Sequence, residues 1–263
     1  MYIKKIKNIV AITPVWSEPL GMIQKFLNKI EKVRSILSEQ EIGFRHFFLD
    51  DAAINLPDDY SILVRHKENK RLAQTLLDGY EAVSSLKTKP DIVVRLDCQE
   101  HDPFQIPFVI DHFSHSEIKA IFLPVCYWTK GQKRPLMREI TIMLANFCES
   151  LSPINKGVVL STYNQKFPLG YQVFRIELVE EMVPQLRNGL ELFKQKFGQP
   201  SWGLDLLTIL LAANKHSEAI DFVFGGWSEP WLENRGPDKI AAQREKAEAM
   251  VEIAIELGCK NLT

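Results

Sequence analysis

Apolar and polar positions along the N-terminal half follow two different periods. Asn8 to Val15 is a near-continuous apolar run of strand length and reads as a strand. From Leu20 the apolar positions open to helical spacing, at Leu20, Ile23, Leu27, Ile30, Val33 and Leu37, with Pro19 at the start and Gly43 past the end. Phe44 to Leu49 reads as a second strand stopping at Asp50-Asp51, and Ser61 to Val64 as a third. A helix is predicted from Lys70 to Leu86, with Asn69 as its cap. It leads to a fourth strand, Ile92 to Leu96, interrupted only by Arg95. Strand, helix, strand, strand, helix, strand of these lengths predicts a mostly parallel, Rossmann-like α/β sheet flanked by helices.

The pattern changes in the second half. A strand is expected within Glu117 to Trp128, a basic glycine-containing loop over Thr129 to Arg134, a helix from Leu136 to Leu151 and a strand at Gly157 to Leu160. Gly170 to Phe197 reads as a turn into a long helix broken near Pro184. Trp202 to Ala213 is helical, Ala219 to Phe224 a strand, and Asp238 to Leu257 a terminal helix rich in Ala, Glu and Lys. No linker divides the chain, so one continuous domain over 1–263 is expected, with a regular half (1–115) and a mixed half (116–263).

Composition narrows the class. A chain of 263 residues can bury a full core, and its formal net charge of −1 leaves no electrostatic footprint for nucleic acid. No apolar run approaches the roughly 20 residues that span a bilayer, and Met-Tyr-Ile-Lys-Lys-Ile-Lys-Asn is too short in apolar residues for a signal peptide. Cys98, Cys126, Cys148 and Cys259 form no CxxC pair, so neither a disulfide framework nor a zinc site is suggested. A reducing cytoplasm is the expected location.

Polar chemistry gathers where the apolar strands end. Asp97, Glu100, His101 and Asp102 follow the fourth strand within six positions. Ligands of open parallel sheets bind beyond the carboxyl ends of strands, and carboxylates there can hold a hard divalent cation under a phosphate. The competing reading has Asp102 capping a helix entered through Pro103, with the other acids solvated. Asp50-Asp51 holds the equivalent place after the second strand, as an acceptor pair for N–H and hydroxyl groups or as turn residues. Arg65, Lys70 and Arg71 follow near the next strand end and helix start, suited to phosphate oxygens or to plain surface charge.

These segments together resemble a family-2 glycosyltransferase of the GT-A fold, the class of dolichyl-phosphate mannosyltransferase-like enzymes. Ile12-Thr13-Pro14-Val15-Trp16-Ser17-Glu18 is similar to the first-strand Pro-x-Tyr-Asn-Glu signature, with Trp for Tyr and Ser for Asn. Phe48-Leu49-Asp50-Asp51 resembles the Val-Asp-Asp that closes the second strand. Asn69-Lys70-Arg71-Leu72-Ala73, followed by Gly79, resembles the Asn-x-Gly-x-x-x-Ala segment, with Arg71 in place of its glycine. Asp97-Cys98-Gln99 stands where the family has Asp-x-Asp, and Arg235-Gly236-Pro237-Asp238-Lys239 echoes an Arg-x-x-Gly-x-Ser-Lys loop.

The resemblance implies a GT-A-like fold whose first half binds a nucleoside-diphosphate sugar and whose second half receives the acceptor. It also implies inverting sugar transfer. Pro14, Trp16, Glu18, Asp50, Asp51, Asn69, Lys70, Arg71 and Asp97 would line the donor site. Mn²⁺ or Mg²⁺ would bridge the donor phosphates from Asp97, with Gln99 replacing the second acid and His101 able to contribute. Asp205 stands where the family often carries its general base, though it is equally an acid in a first helical turn. Trp202, Arg235 and Lys239 would meet an acceptor that the sequence does not identify. Two other readings keep the fold: a non-catalytic nucleotide-sugar-binding protein with a degenerate metal site, and a sugar-nucleotide nucleotidyltransferase. The second lacks a Gly-rich, Lys/Arg-containing loop after the first strand.

Overall fold

The computed structural model describes residues 5–52, 56, 59–99, 101–114, 116–123, 126–127, 170–199, 203–222, 227–228 and 237–259. In chain order these form β1 (Asn8–Val15), α1 (Leu20–Glu39), β2 (Gly43–Asp50), β3 (Ile62–Arg65), α2 (Arg71–Ser84), β4 (Ile92–Arg95) and α3 (Gln105–Ser114). Then follow β5 (Ala120–Phe122), β6 (Cys126–Tyr127), β7 (Gln172–Arg175), α4 (Ile176–Phe197), α5 (Leu204–His216), β8 (Ile220–Phe222), β9 (Trp227–Ser228) and α6 (Pro237–Glu256).

The main sheet has seven strands in the order β3-β2-β1-β4-β7-β5-β8. All neighbours run parallel except β7, which is antiparallel to both β4 and β5. A separate parallel pair joins β6 to β9. The mostly parallel α/β architecture expected from the sequence is therefore present. β1 is an interior strand, so nearly every residue in it is buried, and its period-2 alternation feeds two cores. Ile9 and Ala11 pack with α1 and α3, while Val10 and Ile12 pack with α2, α4, α5 and α6. The helical spacing in α1 becomes a buried stripe of Ile23, Phe26, Ile30, Val33 and Leu37. Among the described residues no helix is long and apolar enough to cross a membrane.

Gly43 lies past the end of α1, as expected, and begins β2. The stop is a Schellman arrangement with Glu41 in the left-handed region (φ 61), Glu41 N–H on Ser38 O at 3.0 Å and Ile42 N–H on Leu37 O at 2.9 Å. Gln172–Arg175, expected as part of a turn, is instead strand β7, inserted between β4 and β5. Nor does Pro184 break the helix that follows: α4 runs unbroken from Ile176 to Phe197. Its buried stripe continues through Met182, Val183, Leu186, Leu190 and Phe193, and this packing outweighs one missing backbone donor. The expected loop at 129–134, helix at 136–151 and strand at 157–160 lie outside the described residues.

Candidate functional site

β1, β2, β3 and β4 run in the same direction, so their carboxyl ends form one edge. Two carboxylate clusters stand there. The first follows from the β2–β3 register, which sets Asp50 opposite Arg65. Asp50 Oδ2 lies 3.2 Å from Arg65 Nε, and Arg65 Nη2 also donates to Leu56 O at 2.7 Å. One residue further, Asp51 Oδ1 meets His66 Nδ1 at 3.0 Å and accepts the Lys70 N–H at 2.7 Å. The other ring nitrogen of His66 meets Asp78 Oδ2 of α2 at 2.9 Å. Asp50 and Asp51 are both buried, at 1% and 3% exposure, and Asp50 Oδ1 makes no hydrogen bond among the described residues. A turn needs no such pair of buried acids.

The second cluster is built around Arg95. Alternation along β4 turns its side chain to the face of α2, α4 and α5, where it is 1% exposed. Its guanidinium reaches Asp97 Oδ2 at 3.0 Å, Asp205 Oδ1 at 3.3 Å from Nε, and the carbonyl of Gly170. Burial works against the Arg95 charge, yet the carboxylates of Asp205 and Asp97 hold its pKa above the ordinary value. Beneath it the buried polar groups are satisfied in series. Gln172 Nε2 donates to Asp205 O at 2.9 Å, while Gln172 Oε1 accepts from Thr208 Oγ1 at 3.0 Å and from Tyr80 Oη at 3.3 Å. Gly170 must approach closely: a Cβ there would lie 2.6 Å from Asp97 Oδ2 and 2.9 Å from His101 Cε1.

The remaining sequence candidates divide by position. Pro14 is buried in β1 beside Leu49. Trp16 is 55% exposed just beyond it. The Glu18 carboxylate folds back onto the N–H groups of Trp16 (2.6 Å) and Ser17 (3.0 Å). Asn69 Oδ1 accepts the Arg71 N–H at 2.8 Å, and Lys70 Nζ pairs with Glu68. Arg71 holds φ 70, left-handed backbone at the position where the resembling segment has glycine. Asp102 turns the chain into α3, accepting the Phe104 N–H at 3.4 Å and pairing with Lys29 at 3.3 Å. Trp202 and Arg235 lie outside the described residues, and Lys239 is placed only as part of α6. His66, Asp78, Gly170 and Gln172 are members of these networks that sequence reasoning missed.

A divalent cation tests the second cluster. Among the described residues no three His, Cys, Asp or Glu side chains come together as a ready ligand set. The His101 side chain is fully buried, and its Nδ1 accepts the Asp97 N–H at 2.7 Å, which braces the loop. Asp97 gives one oxygen to Arg95 and, among the described residues, keeps Oδ1, and Gln99 beside it is half-buried. One carboxylate and one amide oxygen fit Mg²⁺ or Mn²⁺ only when phosphates and water complete the shell, which is how such ions sit on nucleotides.

No family model and no curated protein matches the chain. Among solved structures it is similar to M. tuberculosis glucosyl-3-phosphoglycerate synthase, with TM-score 0.56 and 16% identity over 94% of this chain and 80% of that one. It is also similar to mannosyl-3-phosphoglycerate synthase from Rubrobacter xylanophilus, with TM-score 0.55 and 11% identity over 95% of this chain and 74% of that one. At these identities the likeness shows the fold alone, and that fold is the GT-A-like one that the sequence motifs resembled.

Proposed function

We propose that the chain is a glycosyltransferase that moves a sugar, with inversion, from a nucleoside-diphosphate donor to a small acceptor. The observation that carries this reading is the pair of carboxylate clusters on one strand edge, Asp50-Asp51 after β2 and Asp97 after β4, separated by the single strand β1. Asp51 Oδ2 and Asp50 Oδ1 are suited to N–H and hydroxyl groups of a nucleoside, and Trp16 to its base or sugar face. Asp97 and Gln99 would hold a cation that supplies charge for the departing diphosphate. Lys70 and Arg71 flank the same edge as phosphate partners. Asp205 is the base proposed for the acceptor hydroxyl, and its commitment to Arg95 gives it a competing structural role. Trp202, Arg235 and Lys239 complete the proposal on the acceptor side.

Both similar structures carry in their names a sugar joined to phosphoglycerate, so 3-phosphoglycerate is the first acceptor to assay. Calorimetry with UDP and GDP, in Mn²⁺ and again in EDTA, tests the donor site. Binding of one nucleotide is expected, with its metal-dependent part lost in Asp97→Ala. The reading fails if neither nucleotide binds under either condition.

A further inference from the structure

His66 lies one residue beyond β3, and its ring spans two elements. Nδ1 is 3.0 Å from Asp51 Oδ1 on the β2 edge, and Nε2 is 2.9 Å from Asp78 Oδ2 on α2. Its backbone N–H is fixed too, on Asp50 O at 2.9 Å. Asp78 is held from its other oxygen by Gln74 Nε2 at 2.7 Å, and Gln74 in turn accepts from Lys194 of α4 at 3.1 Å. The His66 side chain is 11% exposed and that of Asp51 4%, so little water competes for these bonds. An ionised carboxylate only accepts, so a ring nitrogen bonded to one serves as the donor.

The consequence falls on Asp51. With His66 and the Lys70 N–H both on Oδ1, that oxygen is saturated and the carboxylate plane is set. Among the described residues nothing bonds Oδ2, which leaves it for a ligand. We infer that His66 is a positioning residue for the donor: it clamps Asp51 between β3 and α2 so that Oδ2 meets a hydroxyl or N–H of the nucleoside. This rests on the donor site proposed above. The Asp78 bond anchors the ring, while the Asp51 bond transmits the placement.

The two bonds can be separated by side-chain geometry. An Asn amide nitrogen stands near the place of Nδ1, and a Gln amide nitrogen near that of Nε2. His66→Asn therefore keeps the donor to Asp51 and gives up Asp78, whereas His66→Gln does the reverse. The experiment measures Kd for UDP and GDP on wild type and both variants, with a melting curve for each and, where transfer is seen, kcat and KM for the donor sugar. Losing a hydrogen bond to a charged group is worth about 10- to 100-fold in Kd. His66→Gln is expected to weaken the nucleotide and raise donor KM by about that factor with kcat nearly unchanged. His66→Asn should stay within about threefold of wild type. Equal losses in both variants, or losses that follow the melting temperature instead of the Asp51 bond, would overturn the positioning role while leaving the donor site standing. If wild type binds neither nucleotide, the donor site itself falls and this inference falls with it.

Discussion

Arg95 and Asp205, 110 residues apart in the chain, form an ion pair with Nε 3.3 Å from Oδ1 and side chains only 1% and 4% exposed. Such a pair contributes little net stability over an apolar pair, because both ions are desolvated, but removing Asp205 leaves the buried Arg95 charge with Asp97 as its remaining carboxylate partner among the described residues. Asp205→Asn should lower unfolding stability by about 3 kcal/mol, read by denaturant titration. The same variant separates the two roles of Asp205. A base adds a fall in kcat of about 10²- to 10⁴-fold at unchanged nucleotide Kd, whereas a purely structural acid leaves kcat in the folded fraction intact.

Gly170 should not tolerate even one added methyl group. The Cβ of alanine would press on Asp97 Oδ2 at 2.6 Å and on His101 Cε1 at 2.9 Å, and closer still on the Arg95 guanidinium. Overpacking of this kind costs about 1–3 kcal/mol. Gly170→Ala should lower the melting temperature and, by displacing Asp97, also weaken metal-dependent nucleotide binding in calorimetry. A stable variant with wild-type binding would show that the cluster yields without consequence.

Arg71 pays for its place with backbone strain, since left-handed φ 70 is unfavourable for any side chain bearing a Cβ. Arg71→Gly should raise stability by up to about 1 kcal/mol, the relief being partly offset by the flexibility of glycine. If the guanidinium meets donor phosphates, the same change weakens nucleotide binding while the protein melts higher. A higher melting temperature with unchanged Kd would remove Arg71 from the donor site.

His46 makes acid stability measurable. Burial first, and the charge of Arg34 second, lower its pKa from 6.5 to about 3, so the folded chain keeps it neutral while the unfolded chain protonates near 6.5. Between these values the unfolded state binds more protons, so stability present above pH 6.5 is lost progressively as pH falls toward 3, with a ceiling of about 5 kcal/mol. His46→Gln retains a polar partner for Thr13, 3.0 Å away in wild type, but cannot titrate. Its stability should decline less steeply over that window in denaturant melts at stepped pH. Identical slopes would assign acid sensitivity to other groups.

Regular elements were legible because their signals are local. The apolar run of β1, the helical stripe of α1 and the acids after β2 and β4 each sit within a few residues of one another, and the order of the strands and helices was enough to expect a mostly parallel sheet. What the sequence left open depended on pairing across the chain. Gln172–Arg175 is a strand because β4 and β5 offer it edges on both sides, and four residues with a buried glutamine show no period of their own. Arg95 was visible as a charge inside an apolar run, which demands a buried carboxylate, yet nothing local says that the partner is Asp205. His66 was within reach, since Arg65-His66 after one parallel strand answers Asp50-Asp51 after its neighbour once the register is known. Period and length are written in consecutive residues, whereas the partners of a buried charge are chosen by how the strands and helices stack, and only the tertiary structure decides that.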